Sequence, residues 1–423
     1  MKKNIIFLAI LLLTLLIIFG LIIIKKSKNN KPNKKEDDYE INYQTGEFNL
    51  NIFKTISKNN YDNNLISPYS IEIALNMLRD GANGKSKEEI DDLIGNRVIN
   101  DVKVKDRIGI ANAAFIKNEY KEYVKDTYYK NLKDNYNSEI LYDEFITPDV
   151  INNWVNEKTN KMIPKILDKM DPNFVLGIAN AIAIDVKWDS SFNCNATTSE
   201  VFTKIDNTKI KVEMMHKTLE SSEYKYLNSA NATGVVIPYK KYNSKTGEED
   251  YENGRNLEFI GILPKGNIKE YINNLSNDSL DDLINNGKNA SDEFNIYLSL
   301  PRFKYDYSID DFISVLKSLG INEVFDEEKA DLSNIMDKNI EELYVGEAIH
   351  KTHIDLSEAG TKAAAVTYFG MFKNTAMQIE KETIEINFNK PFIYMIRDSL
   401  TKEVLFIGTV YKPNTWKGNT CEE

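Results

Sequence analysis

Five short runs in the second half of the chain suit strands far better than helices: LEFIGILP (257–264), EFNIYLSLPRF (293–303), IEINF (384–388), FIYMIRD (392–398) and VLFIGTVY (404–411). Each is rich in β-branched and aromatic residues and is bounded by turn residues. The first half reads as helical. In SPYSIEIALNMLRDGANGKSKEEIDDLI (67–94), Ser67 is placed as an N-cap with Pro68 at the first helical position. Ile71, Ala74, Leu75, Met77 and Leu78 recur at near-helical spacing. Gly81 and Gly84 are expected to end that helix, and Ser86 with Glu89 to form a capping box for the next. Helices early and strands late predict an α+β fold in which N-terminal helices pack on a large antiparallel or mixed sheet.

A separate constraint sits at the start. Ile5 to Ile24 is an apolar run broken only by Thr14 and Gly20. At about 1.5 Å per residue it spans roughly 30 Å, the hydrocarbon thickness of a bilayer. No A-x-A-like cleavage site follows, so an uncleaved signal anchor over 5–24 is preferred to a cleaved signal peptide. Residues 1–4 are then a short tail, 25–40 a Lys-rich polar linker, 41–415 one domain and 416–423 a C-terminal tail that reads as disordered. Lys25, Lys26, Lys28, Lys31, Lys34 and Lys35 outnumber Lys2 and Lys3 across the span, which taken alone holds the domain in the cytoplasm. The short N-terminal tail instead resembles an export signal, so membrane-anchored export or secretion is the reading adopted. Five Asn-x-Ser/Thr sequons begin at Asn195, Asn231, Asn274, Asn277 and Asn289, and in a chain so rich in Asn chance explains them equally well. The cysteines, Cys194 and Cys421, give no disulfide framework, and no structural bridge is expected.

Charge excludes some partners. The first 35 residues hold eight Lys and no acid, which leaves 45 basic against 64 acidic residues and a net charge of −19. Such a body repels nucleic acid and lacks a basic stripe for sulfated polysaccharides. Enzyme signals also fail. GANGKS lacks the first glycine of a phosphate loop, since that position is Arg79, and it follows a helix rather than a strand. There is no G-x-S-x-G elbow. Of three histidines, His350 and His353 are close in sequence, but no further metal ligands fall at a defined spacing. No catalytic residue, metal or cofactor is expected.

Eight separated segments then stand in a recognisable order. They are NLISPYSIEIALNMLRDGANGKSKEEI (64–90), WVNEKTNKMIPKIL (154–167), ANAIAIDVKW (179–188), VEMMHK (212–217), GILPKG (261–266), LSLPRFKYDYSIDDFISVLKSLGINEVFDEEKADLSNI (298–335), VGEAIHKTHIDLSEAGTKAAAVT (345–367) and FNKPFIYMIRD (388–398). Together they resemble the signatures of the serpins, protease inhibitors that present an exposed reactive loop as bait. Departures are Asp185 and Val186 before Trp188, Ala359 at a usually polar position, and Lys362 where an acidic residue is usual.

The resemblance implies a suicide-substrate mechanism acting on a serine or cysteine protease, in a monomeric protein. The protease cuts the loop, forms an acyl-enzyme, and is trapped when the loop inserts into the sheet as a new strand, an insertion that is itself a standard example of strand addition. It places the hinge at Glu358, Gly360, Thr361, Ala363, Ala364, Ala365 and Thr367. Small side chains alternate there on the face that must enter the sheet. It pairs Arg302 with Glu358 beside Trp188 at the top of the sheet. It also gathers Ser67, Ser70, Asn180 and His350 where the sheet opens. Counting the hinge glutamate as one, the seventeenth residue gives a reactive bond at Asn374–Thr375. A count one shorter gives Lys373–Asn374, and Phe372 and Met377 are further candidates. Asn374 points to an asparaginyl-specific cysteine protease, Lys373 to a trypsin-like enzyme. The other reading is a non-inhibitory serpin, a carrier or chaperone, whose hinge tends to carry bulky, charged or Pro residues. The hinge here carries none on its entering face.

Overall fold

Ser67 does cap a helix: its side chain accepts the Ser70 N–H at 3.1 Å, and Pro68 sits in the first turn. That helix, α2 (Pro68–Gly81), follows α1 (Glu47–Ser57) and leads into α3 (Gly84–Ile94). The capping box predicted from Ser86 and Glu89 does not form. α3 starts earlier, at Gly84, whose φ of 51° suits glycine. Ser86 and Glu89 are spent on distant chain instead. Ser86 Oγ accepts the Asp331 N–H at 3.0 Å, and the Glu89 carboxylate accepts the N–H groups of Asn322 and Glu323 at 2.6 and 2.8 Å.

The computed structural model describes residues 47–95, 97–291, 293–340, 342–361 and 381–418. Eighteen strands among them form four sheets. The largest is antiparallel throughout and orders β1 (Asn64–Ile66), β18 (Val404–Val410), β17 (Phe392–Asp398), β10 (Leu257–Pro264), β9 (Ala232–Pro238), β8 (Lys225–Asn228) and β11 (Lys288–Asn289). Every residue of β17 and β18 is buried, which is why these strands read as continuous apolar runs. A second sheet orders β16 (Glu382–Asn387), β12 (Phe294–Pro301), β7 (Lys209–Leu219) and β6 (Thr198–Thr203).

The remaining two sheets position the site. One orders β3 (Glu139–Asp143), β2 (Ile108–Lys117) and β4 (Leu176–Ile184). The other orders β13 (Phe303–Ser308), β14 (Lys351–Ser357), β15 (Gly360–Thr361) and β5 (Val186–Lys187). Only Asp185 separates β4 from β5, so one line of chain serves both sheets. α2 packs against β4 and β18, and α5 (Asp149–Lys158), which follows α4 (Asp126–Tyr136), packs on β2 and β4. There Ile151, Trp154 and Val155 form a separate apolar cluster with Ala113, Phe115 and Ala181.

Further sequence expectations need correction. The first half is not only helical, because β2, β3 and β4 lie in it. The run 293–303 is not one strand: β12 ends at Pro301 and β13 begins at Phe303 in a different sheet. The expected lack of a structural bridge also fails, since Cys194 is disulfide-bonded. The start of the tail is held as well. Where β12 leaves β7, the vacated backbone of β7 takes up the tail, and the Trp416 N–H donates to Lys211 O at 2.9 Å while Thr415 bridges Val212. The apolar segment 5–24 lies outside the described residues. No helix among the described residues is long and apolar enough to cross a membrane.

Candidate functional site

Arg302 leaves β12 just after Pro301 and points at Glu358, the residue beyond β14. The guanidinium binds the carboxylate with two hydrogen bonds, Nε to Oε2 at 2.7 Å and Nη2 to Oε1 at 2.6 Å. Two-pronged charge-assisted bonds of this kind are among the strongest side-chain contacts. Glu213 lies 3.7 Å from the same guanidinium, and Thr197 Oγ1 donates to Glu358 Oε1. Trp188 adjoins the pair as expected. Its indole N–H donates to Ser357 O at 2.9 Å and its backbone N–H to Ala359 O at 3.0 Å, while its ring stacks on Tyr239 at 4.5 Å. The carboxylate, guanidinium and indole therefore fix the top of β14 beside β5.

The first residues of the segment that the resemblance names as the hinge lie beside this pair. Gly360 and Thr361 form β15, paired with Ser357 and Leu356 of β14 on one side and with Lys187 and Val186 of β5 on the other. Gly360 adopts a φ of 149°, and a Cβ there would lie 2.7 Å from Lys187 Cα, so glycine is required sterically as well as conformationally. Thr361 is buried, with its hydroxyl 2.7 Å from Tyr239 OH. Below Thr361 a small cavity separates the two flanking strands. It is lined by Ile182, Ala183 and Ile184 of β4, His353, Ile354 and Asp355 of β14, and by Met162 and Ile163 from the segment after α5. Ala363, Ala364, Ala365 and Thr367, and the reactive-bond candidates Lys373, Asn374 and Thr375, lie outside the described residues.

Ser67, Ser70, Asn180 and His350 stand in one hydrogen-bonded cluster. His350 Nε2 accepts the Ser67 N–H at 3.1 Å, and Ser70 Oγ donates to Asn180 Oδ1. The chain of bonds runs further than the sequence reading placed it. Asn180 Nδ2 donates to Asn112 Oδ1 at 2.5 Å, and Asn112 Nδ2 to Tyr136 O at 2.6 Å. The cluster thus ties α2 to β2, β4 and the end of α4. Asn112, Thr197, Glu213 and Tyr239 are site residues missed from sequence.

Burial lowers the His350 pKa from 6.5 to about 4, so the ring is neutral at pH 7 and Nε2 is free to accept. In the unfolded chain it titrates near 6.5. Between pH 6.5 and 4 the unfolded state therefore binds more protons, and stability falls as the pH drops through that window. The loss levels off below pH 4 at about 3 kcal/mol. We expect the denaturant midpoint of the first unfolding transition to fall between pH 7 and 4 more steeply than in His350→Gln, which keeps an acceptor but does not titrate. Parallel curves for the two proteins would contradict this assignment.

Comparison with known proteins agrees with this geometry. Iripin-5 of Ixodes ricinus is 30% identical, with 88% of this chain and 94% of that protein covered. Leukocyte elastase inhibitor of Xenopus tropicalis is 28% identical, with 86% and 97% covered. The native state of tengpin, a thermophilic serpin, matches with a TM-score of 0.71 and 32% identity over 88% of this chain and 93% of its own. The family described as "Serpin (serine protease inhibitor)" matches residues 43–413. The chain belongs to the serpin family.

Proposed function

We propose that the protein is an irreversible suicide-substrate inhibitor of a serine or cysteine protease, and that it works by inserting its cut reactive loop between β14 and β4. The observation that carries this reading is the position of β15. Two hinge residues are already paired between β14 and β5, directly above the cleft that the rest of the loop has to fill. Insertion extends a ladder that has already begun.

The chain contributes position and strain rather than catalysis. The protease nucleophile attacks the carbonyl carbon of the reactive bond, placed at Asn374–Thr375 or Lys373–Asn374, and releases the amine of the following residue. The N-terminal side of the cut stays attached to the protease as an ester or thioester. The loop then adds residues to β15 one pair at a time. Each pair satisfies backbone groups that line the cleft, so insertion runs downhill once cutting frees the loop. The uncut form persists because a barrier separates it from the inserted one. The segment holding Met162 and Ile163 has to shift for the strand to pass. Gly360 and Thr361 set the entry point, and the Arg302–Glu358 pair sets the width of the opening.

The reading is supported by the matched leukocyte elastase inhibitor, which is named as an inhibitor. For location we propose that residues 5–24 anchor the protein and that the serpin domain is exported. The functional test is incubation with a panel of serine and cysteine proteases. Complexes of one protease to one chain that survive denaturant are expected with at least one of them. A chain that is cut by every protease and trapped by none would sink the reading.

A further inference from the structure

One amine close to the gate has no part in loop insertion. Lys217 lies on β7 opposite Leu298 of β12, half-buried between two aromatic rings. Its Nζ sits 5.6 Å from the centre of the Phe192 ring and 5.5 Å from that of Tyr224, and both rings are buried. It donates to Ser190 O and stands 3.5 Å from Tyr224 OH. No ion pair joins it to a carboxylate among the described residues. The slot thus has aromatic walls and an amine inside it.

Its charged neighbours are few. Burial lowers the Lys217 pKa from 10.5 to about 8, and Asp189 is the acid that opposes the shift. The Tyr224 phenol, pushed up to about 12 by burial, stays neutral. Glu220 and Glu223 are exposed on the turn that follows β7, and His216 is engaged with Glu200 and Ser299. At pH 8 about half of the Lys217 amine has its lone pair free, against roughly one in 300 for an ordinary exposed lysine. Walls that disfavour the ammonium also disfavour a charged reagent. The amine is tied to the gate through one segment. Ser190, its acceptor, lies two residues before Phe192, whose N–H donates to Glu358 O at 2.9 Å and whose ring meets Trp188 at 6.0 Å.

We propose that Lys217 is a covalent capture site for uncharged aromatic aldehydes, and that capture loosens the gate. The amine lone pair attacks the aldehyde carbon and forms a C–N bond. A proton passes from nitrogen to the former carbonyl oxygen, and the carbinolamine loses that oxygen as water to leave a C=N imine. Water is the leaving group, so no co-reactant is needed. A flat aromatic aldehyde suits walls made by Phe192 and Tyr224, since ring pairs stack or meet edge to face. The neutral imine carries no N–H, so Ser190 O loses its donor. Segment 189–192 is then held less firmly, and with it the backbone of Glu358. The capture chemistry stands apart from loop insertion, whereas the loosening rests on the gate reading.

The experiment treats the folded full-length protein with benzaldehyde, fixes imines with cyanoborohydride, and maps the modified lysines by peptide mass. Lys217 should be labelled about tenfold faster than the average lysine, and its rate should rise with a midpoint near pH 8. Lys217→Arg, which keeps a cation and a donor for Ser190 O, should lose that label and keep the others. These first readings are made on wild type, so they hold even if the variant fails to fold. For the gate, both proteins are warmed mildly with benzaldehyde and no reductant, and monomer is followed on native gels. Wild type should lose monomer about fivefold faster than without aldehyde, and Lys217→Arg should not respond. Labelling spread evenly over the lysines, or a Lys217 midpoint near 10, would overturn the capture site. Selective labelling with unchanged loss of monomer would overturn the link to the gate and leave the suicide-inhibitor reading to the protease panel.

Discussion

Thr361→Arg is expected to convert the protein from an inhibitor into a substrate. Thr361 is buried in β15, its hydroxyl against Tyr239 and its backbone paired with Leu356 and Val186. An arginine there puts a cation among Ile182, Ile184 and Ile354, and Asp355, the acid that also lines the cavity, is already paired with Lys304 at 2.7 Å. Burying an unpaired charge costs several kcal/mol. A few kcal/mol on the insertion barrier slows it at least a hundredfold, while the loop is still cut at the same bond. Hydrolysis of the acyl-enzyme then wins. The measurement is the ratio of trapped complex to cleaved inhibitor at a fixed protease dose. Thr361→Ser keeps the hydroxyl and should preserve trapping. Undiminished trapping by the arginine variant would show that this segment does not enter the sheet.

Glu358→Lys should release the gate and drive the protein into loop–sheet polymers. The substitution replaces a buried, two-pronged ion pair with two cations facing each other, and it strips Thr197 of its acceptor. Breaking a buried pair by changing one partner costs about 3–5 kcal/mol. The nearby Glu213 does not restore it, since it already sits 3.7 Å from Arg302. With β14 loosened at its top, the cleft between β14 and β4 opens to any strand, including the loop of a second molecule. Native gels after mild heating should show ladders for the variant under conditions where the wild type stays monomeric. A monomeric variant would mean that the pair does not guard the opening.

The parts of this site that could be read from sequence are those carried by compact motifs. LPRF and SEAGT fixed Arg302, Glu358, Gly360 and Thr361, and SPYS with the Asn-Ala run fixed Ser67, Ser70 and Asn180. What could not be read were partners supplied by distant chain. Asn112 sits in IGIANAAFIK, a run of small and apolar residues that signals neither helix nor strand by period, so both β2 and its place in the polar cluster went unseen. Tyr239 and Thr197 come from the end of β9 and from a turn, and neither carries a local pattern. Ser86 and Glu89 misled for the same reason: a capping-box spacing is a local signal, and here both side chains serve long-range backbone partners. The pairing of Gly360 and Thr361 between β14 and β5 was also invisible, because both partner strands come from distant chain.

The most direct test of the loop-insertion account is the mass of the denatured wild-type complex and of the fragment released with it. The account predicts a covalent adduct of the protease with the chain ending at the reactive residue, and a C-terminal fragment that begins at Thr375, or at Asn374 if Lys373 is the recognition residue. A fragment beginning outside 373–378 would refute the placement of the bond. If no serine or cysteine protease leaves a covalent adduct, and only free protease and cut chain are found, trapping by loop insertion is contradicted.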